Sequence, residues 1–141
     1  MQKSGSAQWQ GAIKDGIGSI STQSGVLKDA PYGFKARFEG GPGTNPEELI
    51  GAAHAGCFSM ALSLQLTEAG TIAEQINTKA TVSLEKDDSG FTITAVHLDV
   101  VARIPGATAE SFAKAANAAK AGCPVSKLLN ANITMDARLE A

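Results

Sequence analysis

The sequence predicts an α+β domain in which one long, buried central helix is wrapped by antiparallel β-sheet. Three observations carry that prediction. A long apolar stretch follows a strong helix-start signal at Asn45-Pro46-Glu47-Glu48, runs of alternating apolar and polar residues flank it on both sides, and glycine-containing turns break those runs.

The elements follow in chain order. Residues 7–13 alternate, break at Lys14-Asp15-Gly16 and resume over 17–20, which reads as a hairpin. A turn follows at Ser24-Gly25. Residues 34–38 alternate again and are predicted to form a third strand, with Lys35 and Arg37 on one face and Phe34, Ala36 and Phe38 on the other. Gly40-Gly41-Pro42-Gly43 is a loop. With Asn45 as N-cap, Pro46 takes the first helical position and Glu48 the third, completing a capping box; Thr44 with Glu47 is the alternative one residue earlier. The acidic first turn also suits the helix dipole. This helix is expected over 46–69, stopping at Gly70. It is apolar nearly all round from Leu49 to Leu64, interrupted mainly by His54, Ser59 and Ser63, which predicts burial rather than amphipathicity. Gly51, Ala52, Ala53, Ala55 and Gly56 make its first half a run of small residues, so a second helix can approach closely there.

Beyond Gly70, strands are expected over 76–86 and 91–103, joined by the hairpin turn Asp87-Asp88-Ser89-Gly90. Thr108 caps a second helix over 110–121, which Gly122 closes, and Cys123-Pro124 opens a short further helix. Residues 133–139 alternate as the last strand. No fixed-period repeat, low-complexity tract or long linker interrupts this order, so a single domain over 1–141 is expected.

Composition excludes several function classes. With 43% apolar and 18% charged residues the chain can bury a core, and its net charge of −2 gives no basic footprint for nucleic acid or acidic lipid. No segment approaches the ~20 continuous apolar residues of a membrane span. Met1-Gln2-Lys3-Ser4-Gly5 lacks an apolar signal stretch, so the expected compartment is the cytoplasm. In a reducing compartment two cysteines are expected to be free, catalytic or metal-bound rather than a standing disulfide.

Cys57 falls near the middle of the apolar helix, where burial raises a thiol pKa; read alone, it is as readily a small buried hydrophobe as a reactive thiol. A cation reaching it changes that, and Arg37, on the strand leading into the helix, is the leading candidate. Cys123 follows a glycine at a helix N-terminus, where the dipole favours a thiolate, so local position gives it the better claim to acidity. Glu47 and Glu48 are ordinary for a helix start, yet a carboxylate there can orient an arginine. Glu47 and Cys57 lie ~15 Å apart along one helix and do not meet within it. Two antiparallel copies crossing near Ala52, inside the small-residue run, bring Glu47 of one subunit to Cys57 of the other. Zinc is disfavoured, because no Cys or His pair has finger-like spacing and His97 falls in a strand pattern. His54 lies one turn before Cys57, but a Cys–His hydrolase lacks an evident third group. The glycine-rich stretches are turns, not phosphate-binding loops.

The segments Pro31-Tyr32-Gly33-Phe34 and Arg37-Phe38-Glu39-Gly40, the run from Gly43 to Ala61 containing His54-Ala55-Gly56-Cys57-Phe58, and Ala121-Gly122-Cys123-Pro124-Val125-Ser126 together resemble the osmotically inducible protein C (OsmC) family. The likeness covers essentially the whole chain and is nearer to OsmC than to its sister branch, the organic hydroperoxide resistance proteins. It implies a thiol-dependent peroxidase acting on organic hydroperoxides as an intertwined homodimer, with active sites at the subunit interface. The matching positions are Cys57 as the attacking thiol, Cys123 as the resolving thiol, and Arg37 and Glu47 as their polar partners. It further implies a dithiol reductant, of the lipoyl type in the family-based reading, and no cofactor or metal. A non-enzymatic redox sensor or small-ligand binding protein on the same fold is the alternative, and a stress protein with inert cysteines is a third reading.

Overall fold

The alternation at the N-terminus folds as a hairpin in the computed structural model, which describes residues 1–140. β1 (Gly5–Gln10) pairs antiparallel with β2 (Ile17–Thr22), and β3 (Ala30–Tyr32) pairs antiparallel with the other edge of β2. Trp9 and Tyr32 meet edge to face across Gly18, with ring centroids 5.6 Å apart. A Cβ at Gly18 would collide with both rings, so the close approach requires glycine.

Residues 34–38 are not the predicted strand; they form the one-turn helix α1 (Phe34–Phe38), and the third strand lies just before them. The pattern was degenerate. Residues four apart share a face whether the backbone is extended or helical. Here the Arg37 N–H donates to the Gly33 carbonyl at 3.1 Å, and the Phe34 and Phe38 rings meet at 5.0 Å. Arg37 therefore stands on a helical turn rather than on a strand.

The long helix α2 (Pro46–Glu68) starts as expected: Asn45 Oδ1 accepts the Glu48 N–H at 2.8 Å. The return half of the capping box is replaced, because the Glu48 carboxylate accepts the Thr44 hydroxyl at 2.7 Å.

The chain divides into two compact units, Met1–Leu49 and Ile50 onward. In the second, β4 (Gln75–Asp87) and β5 (Gly90–Arg103) form the expected long hairpin. Its turn is held by Asp87, which accepts the Ser89 N–H and hydroxyl and the Thr92 hydroxyl; these donors keep its carboxyl below the usual carboxylate range. α3 (Ala109–Gly122) begins with a reciprocal cap between Thr108 and Ser111 at 3.0 Å each way. α4 (Pro124–Leu128) follows through Cys123, and β6 (Asn132–Glu140) completes the sheet in the order β4-β5-β6. β6 runs parallel to β5, an exception to the expected antiparallel sheet. The α3–α4 connection is a helical crossover, which returns the chain to the end of the sheet where β5 began.

The core of this unit joins Phe58, Leu62 and Leu66 of α2 to Val96, Leu98, Val100 and Ala102 of β5 and to Phe112, Ala116 and Ala119 of α3. α2 approaches β4 closely at Gly51, where a Cβ would sit 3.0 Å from the Ala80 carbonyl oxygen. The helix is not buried all round. Gly51, His54, Phe58, Leu62 and Leu66 form one buried stripe, whereas Ala52, Ala53, Gly56, Met60 and Leu64 are exposed. Uniform apolarity in the sequence conceals which face is covered. With a mean hydropathy of 1.4, α2 is by length and composition alone able to cross a membrane, but its buried stripe is part of a protein core.

Leu62 makes no contact with solvent, so Leu62→Ala is expected to cost about 2–5 kcal/mol in denaturant unfolding. A cost well under 1 kcal/mol would show that this stripe is not close-packed.

Candidate active site

The four residues singled out in the sequence fall into two pairs, one in each unit. In the second unit α2 presents His54 and Cys57 one turn apart, and the start of α4 presents Cys123 and Ser126 at the same spacing. The two short rows face each other antiparallel. Cys57 and Cys123 share a hydrogen bond at 2.8 Å between sulfurs, and His54 Nε2 hydrogen-bonds Ser126 Oγ, also at 2.8 Å. Both cysteines are free thiols. A disulfide bond is about 2.05 Å long, so oxidation needs the sulfurs to close by under 1 Å.

The backbone around Cys123 explains how this is built. Cys123 ends α3, its N–H donating to the Ala119 carbonyl at 2.9 Å, and the same residue starts α4 with Pro124 in the first helical position. One residue thus turns the chain between two helices while holding its sulfur toward α2. Cys123 is fully buried, whereas Cys57 is partly exposed.

The two thiols differ in acidity. Burial pushes the Cys57 thiol up, and the hydrogen bond with Cys123 pushes it further; the Val125 N–H only partly offsets them. Burial also pushes Cys123 up, but hydrogen bonding with Cys57, then the backbone N–H and hydroxyl of Ser126, then the Val125 N–H, more than offset it. The contact with Cys57 favours the Cys123 thiolate most, and the donors at the start of α4 add to it, in the sense its place at a helix start predicted. Cys57 is the more exposed of the two thiols.

In the first unit Arg37 and Glu47 form a fork. Arg37 Nη2 donates to Glu47 Oε1 at 2.6 Å, and Arg37 Nε donates to both carboxylate oxygens at 3.1 Å. α1 supplies the guanidinium and the first turn of α2 supplies the carboxylate, so the two bends around the Gly40–Gly43 loop bring them together. The guanidinium also lies 5.4 Å from the Phe38 ring centroid.

Two features escaped the sequence reading. Ser126 is the partner of His54, and the signal for it was the three-residue spacing that Cys123–Ser126 shares with His54–Cys57. On the outer face of the second sheet, His97 Nδ1 hydrogen-bonds Thr134 Oγ1 at 2.6 Å while its Nε2 lies 3.4 Å from Asp99 and 3.2 Å from Asp136. Among the described residues these three form a group able to offer ligand atoms to a metal. Only the parallel β5–β6 register, which sets Asp99 opposite Asp136, assembles it.

Comparison with known proteins places this arrangement. Over 141 residues the chain is 56% identical to Peroxiredoxin OsmC of Escherichia coli (strain K12), covering 100% of this chain and 99% of that one. It is 32% identical over 124 residues to the organic hydroperoxide resistance protein OhrB of Bacillus subtilis (strain 168), covering 87% and 88% of the two chains. The crystal structure of OhrB superposes with a TM-score of 0.68 at 29% identity, covering 97% of this chain and 98% of that one. Residues 39–138, which carry Cys57, Cys123 and Glu47, match the family model described as OsmC-like protein, and the chain belongs to that family.

Proposed function

We propose that this protein is a cysteine-based, thiol-dependent peroxidase that reduces organic hydroperoxides to alcohols in stress defence. The observation that carries the reading is the reduced thiol pair, Cys57 partly exposed and Cys123 buried behind it at 2.8 Å, in a chain 56% identical to a named peroxiredoxin.

Access and acidity together assign the roles. Peroxide reaches the Cys57 sulfur first. The Cys57 thiolate attacks the outer peroxide oxygen, the O–O bond breaks, and the alkoxide leaves and takes up a proton to become the alcohol. Cys57 is then a sulfenic acid. The Cys123 thiolate attacks its sulfur, the S–O bond breaks, and the expelled hydroxide takes the proton Cys123 has lost, giving water and a Cys57–Cys123 disulfide. An external dithiol, of the lipoyl type, restores both thiols by exchange and is itself oxidised to its disulfide.

Nothing within the second unit favours a Cys57 thiolate except the Val125 N–H, so the mechanism asks for a cation. Arg37, permanently charged and clamped by Glu47, supplies it and draws negative charge onto the peroxide oxygens. The arrangement that supports this is a homodimer with α2 packed antiparallel against its copy. The exposed stripe Ala52, Ala53, Gly56, Met60 and Leu64 offers small residues for that contact, and a crossing near Ala52 carries the fork of one subunit toward Cys57 of the other. The whole chain acts as one catalytic domain, in the cytoplasm.

Cys57→Ser is expected to abolish peroxide turnover, while Cys123→Ser forms a dimedone-trappable sulfenic acid and then stalls; a Cys57→Ser variant as active as the parent rules out the mechanism. Many turnovers with cumene hydroperoxide and a dithiol, rather than one, separate an enzyme from a sensor. Arg37→Ala is expected to raise the Cys57 titration and to slow sulfenic acid formation by about 100-fold, the scale of losing one aligned charge-stabilising donor. An unchanged titration removes Arg37 from the site. Gly56→Leu, on the exposed stripe, is expected to shift the sedimenting species from dimer to monomer; an unchanged dimer means that another face pairs.

A further inference from the structure

His54 is fully buried beside a thiol pair, yet neither the attack nor the resolution step as written uses it. Burial pushes its pKa below the ordinary 6.5, so at neutral pH the imidazole is uncharged and carries a single N–H. The position of that proton can be deduced. Nε2 hydrogen-bonds Ser126 Oγ at 2.8 Å, whereas Nδ1 is buried and has no hydrogen-bond partner among the described residues. A buried N–H without an acceptor is more costly and rarer than a bare acceptor, so the proton belongs on Nε2 and the lone pair on Nδ1. His54 is then the donor and the Ser126 oxygen the acceptor. The hydroxyl has one hydrogen of its own, which is free to point onward, and Ser126 stands one turn from Cys123 at the start of α4, where its hydroxyl favours the Cys123 thiolate.

We propose that His54 is a positioning residue for the second thiol: its Nε2 N–H holds the Ser126 hydroxyl as a donor aimed at Cys123 Sγ, so that Cys123 stands ready to attack once Cys57 is oxidised. The proposal rests on the peroxidase reading and adds to it a directed chain, His54 to Ser126 to Cys123. A hydroxyl whose oxygen already accepts a hydrogen bond is both oriented and made a better donor, which favours the sulfur anion it faces. The same donor serves the return half of the cycle. When a reductant attacks the Cys57 sulfur, Cys123 is the leaving thiolate, and a stabilised thiolate leaves faster. No charged side chain is among the groups that set the acidity of Cys123; they are burial, Cys57, the Ser126 N–H and hydroxyl and the Val125 N–H. The spacing explains why both rows are needed. His54 and Cys57 are three residues apart on α2, as are Cys123 and Ser126 at the start of α4, so seating one rung of the ladder seats the other.

The test has a direct arm and a kinetic arm. In the reduced full-length protein labelled with nitrogen-15 at histidine, His54 is expected to show the Nε2-protonated neutral tautomer; an Nδ1-protonated ring overturns the proposal without any variant. In a Cys57→Ser background, adding Ser126→Ala or His54→Leu is expected to raise the thiolate titration of Cys123, and no rise overturns it. With Cys57 intact, both variants are expected to slow disulfide closure about tenfold more than they slow sulfenic acid formation, the scale of losing one hydrogen bond to a charged acceptor. His54→Gln, whose amide N–H reaches a similar place, is expected to recover most of that loss. A purely structural role for His54 predicts lower stability with the ratio of the two steps unchanged and no rescue by glutamine, which also overturns the proposal. Failure of the parent protein to form any sulfenic acid would sink the peroxidase reading instead, while the tautomer and the Cys123 titration still judge the hydrogen-bond chain.

Discussion

The antiparallel contact between α2 and the first turn of α4 is the constraint on which the chemistry of this protein depends. A helix repeats a face every three to four residues, so the earlier residue of a pair on α2 meets the later one on α4, and the later the earlier, only if the helices run in opposite directions there. His54 with Ser126 and Cys57 with Cys123 meet in that way. The contact is held by the rest of the second unit. Phe58, Leu62 and Leu66 fix the rotation of α2 against β5 and α3, and Cys123 itself closes α3 before it opens α4. Loosening the core stripe or the α3–α4 junction would move both rungs together.

That geometry creates an asymmetry between the two sulfurs. The buried sulfur is the more acidic, because Cys57 and then N–H and hydroxyl donors converge on it, and the accessible sulfur is held protonated by burial and by its neighbour. For a peroxidase of this type the division is useful. In the proposed cycle the thiol that ionises more easily resolves, and the accessible thiol attacks with the help of a cation. The bidentate fork of Arg37 and Glu47 holds a pre-oriented cation, and its carboxylate keeps the guanidinium from adopting other geometries.

Much of this was legible in the residues. The Asn45 cap, the two-strand hairpin closed at Asp87, the Thr108 cap and the Pro124 start all formed where local signals put them, because caps and turns are satisfied by atoms within a few residues. The failures have a common origin. Residues 34–38 fit a strand and a helical turn equally, since a spacing of four keeps Phe34 and Phe38 together in both. The parallel pairing of β6 depends on a crossover of two helices, and the exposure of Ala53, Gly56 and Met60 depends on which side of an all-apolar helix the sheet covers.

By itself the sequence determined the α+β class, the apolar helix carrying one cysteine, the glycine-cysteine-proline junction carrying the other, and the backbone donors that a helix start offers Cys123. Each is a matter of local backbone geometry and short-range electrostatics. Tertiary structure alone decided that the two sulfurs touch, that Ser126 is the partner of His54 across 72 residues, and that Arg37 reaches Glu47 from a helical turn. The reason is physical: contacts between distant segments are set by how whole elements pack, and no local pattern records the register in which two faces meet.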